Sequence, residues 1–394
     1  MTEDHLICIS CGSSEDIAKV PSTCPACGGI LDLVLGSDAP SRVAGPGVWA
    51  WASRLPAVRP QNRITLGEGA TPVLQASRLA RQKGLSDLWI KTDSLMPTGS
   101  FKDRAIAVAT ALACEYDRPG MVLSSSGNAG ASGAAYAARA GRPIVILVPR
   151  TAPPAKLRQI AITGARLVTV DGPTSECCRL AEELSRERGW VNLTTTFHNP
   201  FGVDGYATIA YELAPLKPDV LLLPISSGPL LVGLMKGFEH LHAIGAIDRV
   251  PRPVAVQPTA CAPIARAFDA GGDVGPWAHQ PTIASALNDT LEGYENNGDY
   301  TLAKIRRHGG AAIAIAEAQI LHSQRELASA EGILLEPSAA ITIGAIAPLL
   351  AAGLITPDER VVAVGTGHGL KDLSAVSLDT ASGATSPQDL LREI

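Results

Sequence analysis

The sequence predicts an α/β protein built from two doubly wound, mostly parallel sheets, with a small cysteine-bearing module at its N-terminus. Apolar runs without polar alternation, among them Ile144–Val148 and Val220–Leu223, read as strands buried on both faces. Each is followed by an amphipathic or small-residue helical stretch. Two such series follow one another in 394 residues, enough for two or three domains. Ahead of both stand Cys8-x-x-Cys11 and Cys24-x-x-Cys27.

Composition narrows the function classes. With 46% hydrophobic and 18% charged residues the chain is globular rather than disordered. A net charge of −5 offers no electrostatic reason to bind nucleic acid or an anionic membrane. The start, Met1-Thr2-Glu3-Asp4-His5, has no basic n-region or apolar h-region, and no apolar run approaches a membrane span. A soluble, cytoplasmic protein with no nucleic-acid partner and no membrane partner is expected.

The elements follow in chain order, beginning with residues 1–35. Each Cys-x-x-Cys turn can present two thiolates to one tetrahedral ion, and Gly28-Gly29 lets the backbone form the knuckle. A zinc ribbon is therefore expected, with structural Zn2+ in a closed shell of Cys8, Cys11, Cys24 and Cys27. Disulfide or redox pairs are the alternative, which a reducing compartment disfavours. Cys114, Cys177, Cys178 and Cys261 read as small buried apolar residues. Residues 36–62, rich in Gly, Pro and Ser, read as an extended crossing segment.

The first series has strands at Leu88–Ile90, Met121–Leu123, Ile144–Val148, Arg166–Val170 and Val191–Leu193. Its helices are Lys102–Cys114, Asn128–Ala140, Pro154–Thr163 and Thr174–Arg188. The second has strands at Val220–Leu223, Val254–Gln257 and Val361–Val364. Its helices are Tyr206–Leu213, Leu230–His242, Ala316–Ala330 and Ala339–Ala351. Glu295–Tyr300 reads as a polar loop, Glu336-Pro337-Ser338 as a turn with a helix cap, and Asp379–Gln388 as a loose tail. The larger unit is expected to combine 36–98 with 200–394, and the smaller to span 99–199.

Three junctions carry chemistry. In Pro97-Thr98-Gly99-Ser100-Phe101-Lys102-Asp103-Arg104 one lysine sits behind a Gly-Ser turn at a helix opening. Alone it could be a phosphate ligand, a solvated surface group or a Schiff-base nucleophile. Ser124-Ser125-Ser126-Gly127-Asn128-Ala129-Gly130 is a strand-to-helix turn whose N–H groups suit a carboxylate, and Asn128 also reads as an ordinary helix N-cap. Gly365-Thr366-Gly367-His368-Gly369-Leu370-Lys371 follows the last strand and, by itself, is only a turn.

In this order, with Leu66-Gly67-Glu68-Gly69-Ala70-Thr71-Pro72 upstream and Glu336-Pro337-Ser338 downstream, these segments resemble the threonine-synthase family among the fold-type-II enzymes of pyridoxal 5'-phosphate (PLP). The likeness spans about residues 64 to 373. It implies the tryptophan-synthase-β-like fold, PLP as cofactor, a small-molecule amino-acid substrate and a homodimer. It makes Lys102 the covalent anchor and proton-moving base, beside Phe101, with Asn128 at the cofactor's phenolic oxygen. Thr366 then faces the pyridine nitrogen, where a neutral hydroxyl suits elimination and replacement. Ser125, Ser126 and Gly127 hold the substrate carboxylate, and Ser226, Ser227 and Gly228 the cofactor phosphate. Lysine is ordinarily protonated at neutral pH, so burial or a nearby cation must lower it.

Two places depart from the family. Relatives cradle the cofactor phosphate with several glycines, whereas Pro224–Leu231 keeps only Gly228, with Ser226 and Ser227 able to supply hydroxyls. The donors that hold the phosphate of O-phosphohomoserine are also replaced. Ala129, in the substrate-binding turn, stands where relatives have Thr, and Gly202 of Asn199-Pro200-Phe201-Gly202 where they have Arg. Losing one such contact costs about 1.5–3 kcal/mol. His198, Lys156 and Arg158 are the nearest replacements, and Arg104 a more distant one.

The expectation is a PLP-dependent lyase of the threonine-synthase type, acting on O-phosphohomoserine or an analogue with a different leaving group. A β-elimination or β-replacement enzyme on a serine-derived substrate, cysteate synthase-like or dehydratase-like, is the alternative. A non-catalytic ligand-binding regulator is the reading from another class, and Lys102 among intact cofactor motifs argues against it.

Overall fold

The computed structural model describes residues 4–36, 39–152, 154–278, 280–373 and 376, apart from the side chains of 154–156. The expected tail at 379–388 lies outside the described residues. The strands are β1 (His5–Cys8), β2 (Ser14–Glu15), β3 (Leu31–Val34), β4 (Val73–Gln75), β5 (Asp87–Lys91), β6 (Met121–Ser124), β7 (Ile144–Pro149), β8 (Arg166–Val170), β9 (Val191–Asn192), β10 (Val220–Pro224), β11 (Arg252–Pro258), β12 (Ala311–Ile315) and β13 (Arg360–Val364). The helices are α1 (Ser77–Lys83), α2 (Lys102–Glu115), α3 (Asn128–Ala140), α4 (Pro154–Ala161), α5 (Thr174–Arg188), α6 (Pro200–Leu213), α7 (Pro229–Ala243), α8 (Pro263–Ala270), α9 (Glu295–Arg307), α10 (Glu317–Glu331), α11 (Pro337–Gly344) and α12 (Ile346–Ala351).

Three sheets result. An antiparallel ribbon runs β2-β1-β3, a parallel sheet runs β8-β7-β6-β9, and a larger sheet runs β12-β11-β10-β13-β5-β4 with only β4 antiparallel. Their apolar runs have no solvent face: Val220, Leu221, Leu222 and Leu223 are all fully buried, as a parallel strand covered on both sides requires. The Ala-rich α2 is buried on almost every side from Asp103 to Ala113, because small side chains let it lie close against α3 and α6. The ribbon's Leu6, Leu31 and Leu33 share a cluster with Trp49, Leu55 and Ile106.

Several expectations give way here. Leu88–Ile90 belongs to the large sheet, with Leu88 opposite Val361, and not to the series it precedes in sequence. The segment 36–62 is not simply extended: 3-10 turns at Gly47–Arg54 and Pro60–Asn62 bury Val48 and Trp49. Glu295–Tyr300 is no loop but the start of α9, where Thr301, Leu302 and Ile305 supply a buried stripe that outweighs the poor helix formers Asn-Asn-Gly. Helix α6 starts six residues before Tyr206, because Asn199 caps it by accepting the Gly202 N–H at 2.9 Å and Pro200 takes the first turn. The single helix expected at Ala339–Ala351 is divided into α11 and α12, with Pro348 lacking the N–H that continuity needs.

Candidate active site

Four strand ends converge, and each expected segment follows one of them. The strands β5, β6, β10 and β13 end at Lys91, Ser124, Pro224 and Val364. Beyond them the segments are stitched together. The Phe101 N–H donates to the Thr366 carbonyl at 2.9 Å, and the Glu336 N–H to the Gly367 carbonyl at 3.0 Å. Ser100 bridges Gly367, and Leu335 bridges His368. The neighbours β10 and β13 mark where chain order changes sides in the sheet, the place doubly wound folds use for ligands.

Lys102 opens α2. Its amine lies 4.6 Å from the Phe101 ring centroid and makes no ion pair within 4 Å among the described residues. Burial lowers it to about 8, against Asp289 and Glu336, which pull it up. The amine is thus brought toward neutrality by burial and not by a neighbouring cation.

Asn128 is not the cap of α3; Gly127 holds that position. The Asn128 Nδ2 instead donates to Glu336 Oε1 at 2.8 Å, with both residues buried. Glu336 therefore does more than begin α11, since it orients Asn128 and acts on Lys102. Ser125, Ser126 and Gly127 remain half-buried, with the Ser125 Oγ accepting the Gly127 N–H at 3.1 Å, while Ala129 is buried. Thr366 is buried beside Phe101. His368 caps its own turn by accepting the Leu370 N–H.

In the loop after β10, Gly228 has φ +104°, and a Cβ there would fall 2.2 Å from Thr301 Oγ1. The Thr301 hydroxyl in turn donates to the Ser227 carbonyl at 2.6 Å. Ser226 stays half-buried, with its carbonyl accepting from Gln257 Nε2. Ser227 is buried and its hydroxyl lies within reach of the Asp289 carboxylate. A glycine that no other residue can replace, at the opening of a long helix, is a cradle suited to a phosphate. With Lys102 and Thr366 alongside, the residues fit PLP.

The expected substitutes for a substrate-phosphate donor fare differently. His198 accepts or donates with the Thr196 hydroxyl at 2.7 Å through Nδ1, and burial lowers its pKa. Arg158 is exposed, and the side chain of Lys156 lies outside the described residues. Arg104 is no candidate: fully buried, it binds Asp93, Glu212 and Thr208. Gly202 has no room for a side chain, because a Cβ would meet Asn199 Nδ2 at 2.8 Å and the Ala105 Cβ at 3.1 Å.

Asp289 was not signalled by the sequence. It sits half-buried in an aperiodic stretch, between the buried Leu287 and Leu291. Its Oδ1 accepts the Tyr294 hydroxyl at 2.6 Å and the Leu291 N–H at 3.2 Å. Burial raises its carboxyl, while Tyr294, Leu291, Lys102 and Ser227 hold it back.

Away from this site, Cys8, Cys11, Cys24 and Cys27 have their four Sγ atoms within 4.8 Å of one another, and none is in a disulfide. Their two turns close in the same way, Gly12 N–H to Cys8 O and Gly28 N–H to Cys24 O. A cleft of about 330 Å3 between β3 and helices α6 and α7 is crossed by the ion pairs of Lys236 with Asp32 and Asp204. Among the described residues no helix is long and apolar enough to cross a membrane.

Known proteins resemble the chain in sequence and in shape. The model of the family described as pyridoxal-phosphate dependent enzyme matches residues 64–367. A threonine synthase of Methanocaldococcus jannaschii is 33% identical over 382 residues, covering 93% of each chain. One of Mycobacterium bovis is 31% identical over 87% of this chain and 94% of its own. Among solved structures, maize serine racemase superposes with a TM-score of 0.68 at 24% identity, over 78% of this chain and 91% of that one. The processed form of threonine deaminase isoform 2 from Solanum lycopersicum gives 0.67 at 21% identity, over 88% and 91%. The structural likenesses show the fold; the family match and the long sequence matches show that the chain belongs to the pyridoxal-phosphate-dependent enzymes, among those that include threonine synthases.

Proposed function

We propose that this protein, a PLP-dependent lyase of the threonine-synthase type, eliminates or replaces a side-chain substituent of an amino acid, with Lys102 as covalent anchor and base. The observation that carries the reading is the placing of Lys102: half-buried at the opening of α2 where the segments meet, its amine 4.6 Å from the Phe101 ring centroid, without an ion-pair partner among the described residues and lowered to about 8. An amine in that state is a nucleophile and a base near neutral pH.

PLP bound here supplies an electron sink for carbanion chemistry. Lys102 and Phe101 would hold it. Asn128, oriented by Glu336, would hold its phenolic oxygen, and the neutral Thr366 hydroxyl would hold its ring nitrogen. Gly228, the opening of α7 and the Ser226 hydroxyl take its phosphate, with Ser227 shaping the loop through Thr301. The half-buried turn Ser125-Ser126-Gly127 receives the substrate carboxylate, beside Ala129 and with His198 at the edge of the pocket. The Lys102 amine then takes the proton from the substrate Cα and returns it, and burial excludes water from the exchange.

The four cysteines fit a structural zinc ion, having the ligand number and clustering of a closed tetrahedral shell. Zinc analysis of the purified protein should give one ion per chain, lost on exchanging Cys24 for serine. A cytoplasmic homodimer completes the reading.

The test of the central claim is covalent. Protein reconstituted with PLP, reduced with borohydride and digested should carry the label on the peptide containing Lys102, and Lys102→Ala should carry none. Label on another lysine, or an unchanged yield in the variant, overturns it.

A further inference from the structure

Two helices frame the candidate phosphate cradle. α7 opens at Pro229, the residue after Gly228. α9 meets the same loop from the side: the buried Thr301 hydroxyl donates to the Ser227 carbonyl at 2.6 Å, and Thr301 fills the space that a Gly228 Cβ would need. The gap between α7 and α9 therefore sets where the Ser227 and Gly228 backbone lies. One carboxylate outside the site binds both helices. Asp32, on β3 of the ribbon, pairs through Oδ1 with Lys236 of α7 and accepts the Tyr300 hydroxyl of α9 through Oδ2 at 3.2 Å. Tyr300 directly precedes Thr301. Gly228, Val232 and Lys236 are spaced by four, so the cradle and the ribbon contact share one face of α7. Lys236 also donates to the Leu33 carbonyl and to Asp204, at 3.0 Å each. Ile30 of the ribbon adds an apolar contact, clustered with Val232, Phe197 and Tyr300. Asp32 follows Leu31, the strand partner of Cys8, so the strand that carries the carboxylate is anchored at the cysteine cluster.

We propose that Asp32 is a positioning residue for the cofactor phosphate: by holding Lys236 and Tyr300 together it sets the gap between α7 and α9, and so links the N-terminal ribbon to PLP affinity. The proposal rests on the reading that the PLP phosphate lies at Gly228. It gives the ribbon a part in the active site that its packing against Trp49 and Leu55 does not. The bond to Lys236 is charge-assisted, and α7 and α9 are long enough to carry a displacement at Asp32 to their ends at the loop.

The experiment is equilibrium dialysis of PLP against the full chain, with the phosphorus NMR resonance of the bound cofactor recorded alongside. Asp32→Ala should weaken PLP binding by about tenfold and move the resonance. Tyr300→Phe should weaken it by about threefold. That variant removes one hydroxyl and keeps the ring on Phe197, so it decides the matter even where Asp32→Ala does not fold. Ser22→Ala loosens the ribbon from Glu182 of α5 instead, and should keep the affinity within about twofold and the resonance in place. An affinity and a resonance that neither Asp32→Ala nor Tyr300→Phe changes overturn the proposal. So does an equal loss in Ser22→Ala, which would make the ribbon a general support. Gly228→Ala separates this failure from that of the underlying reading. Where it weakens PLP and the two ribbon-contact variants do not, only the present inference falls; where it too leaves PLP unaffected, the phosphate does not lie at Gly228 and both fall.

Discussion

Two lysines, the fully buried Lys91 and the half-buried Lys102, sit at opposite ends of the stretch between β5 and α2, and their surroundings treat them in opposite ways. Lys91 donates to the Thr71 carbonyl at 2.7 Å and pairs with Glu212, within a cluster that Arg104 completes through Asp93 and Glu212. Burial alone would raise Glu212, yet Arg104 and then Lys91 hold it at about 2. Lys102 has only the Phe101 ring close by, and burial brings it down to about 8. Behind α2, Lys91, Asp93, Arg104 and Glu212 are matched ion to ion; in front of it the Lys102 amine faces carboxylates that do not pair with it. Matched buried ions fix a backbone, and unmatched ones leave a group ready to react.

The largest effect should come from breaking the matched side. Arg104→Met removes five hydrogen bonds and leaves two buried acids, Asp93 and Glu212, to share Lys91 as their one cation among the described residues, which costs about 3–5 kcal/mol. Lys102→Ala should lower stability by no more than about 1 kcal/mol while abolishing covalent cofactor attachment. Urea unfolding of both variants decides the matter. If the two are equally destabilised, the contrast between matched and unmatched regions is wrong.

That contrast also marks how far the sequence could be read. Strand-turn-helix junctions are local, so Lys102, Asn128 and Thr366 stood out by position, and the cysteine spacing displayed the four clustered thiols. What escaped was tertiary. Glu336 looked like a cap because its bond to Asn128 spans the two parallel sheets. Arg104 looked available because nothing near it in sequence revealed Glu212, a residue of α6. Helix α9 was hidden by Asn296-Asn297-Gly298, whose weak propensity is overcome only once Leu302 and Ile305 find the core. Asp289 had no periodic context at all.

A smaller effect tests the front of the site. Gly228 and Gly67 both have positive φ, +104° and +94°, but only Gly228 has a neighbour where a Cβ would stand. Gly67→Ala should therefore cost strain alone, about 1–3 kcal/mol, whereas Gly228→Ala adds a collision with Thr301. We expect Gly228→Ala to lose PLP affinity by about tenfold or more, measured by equilibrium dialysis, and Gly67→Ala to keep it within about threefold. Equal losses would mean that the loop after β10 is not shaped for the cofactor phosphate.

The subtlest signature lies at the two ends of the pH scale, in the cofactor-free protein. Glu212 is lowered in the folded state from its ordinary 4.5 to about 2, so its contribution to stability is complete above about pH 4.5 and disappears as pH falls toward about 2. Lys102 is lowered from 10.5 to about 8, and between those values the unfolded chain keeps a proton that the folded chain has released. Stability should therefore rise with pH across that window, by up to about 1.4 kcal/mol per pH unit. Other groups titrate there as well, so the informative quantity is the difference between the wild-type and Lys102→Ala stability curves. That difference should slope between pH 8 and 10.5 and be flat in the acid range, where Glu212 acts in both proteins. Parallel curves throughout would show that the Lys102 amine is as well matched as that of Lys91, and the distinction between the two regions would be lost.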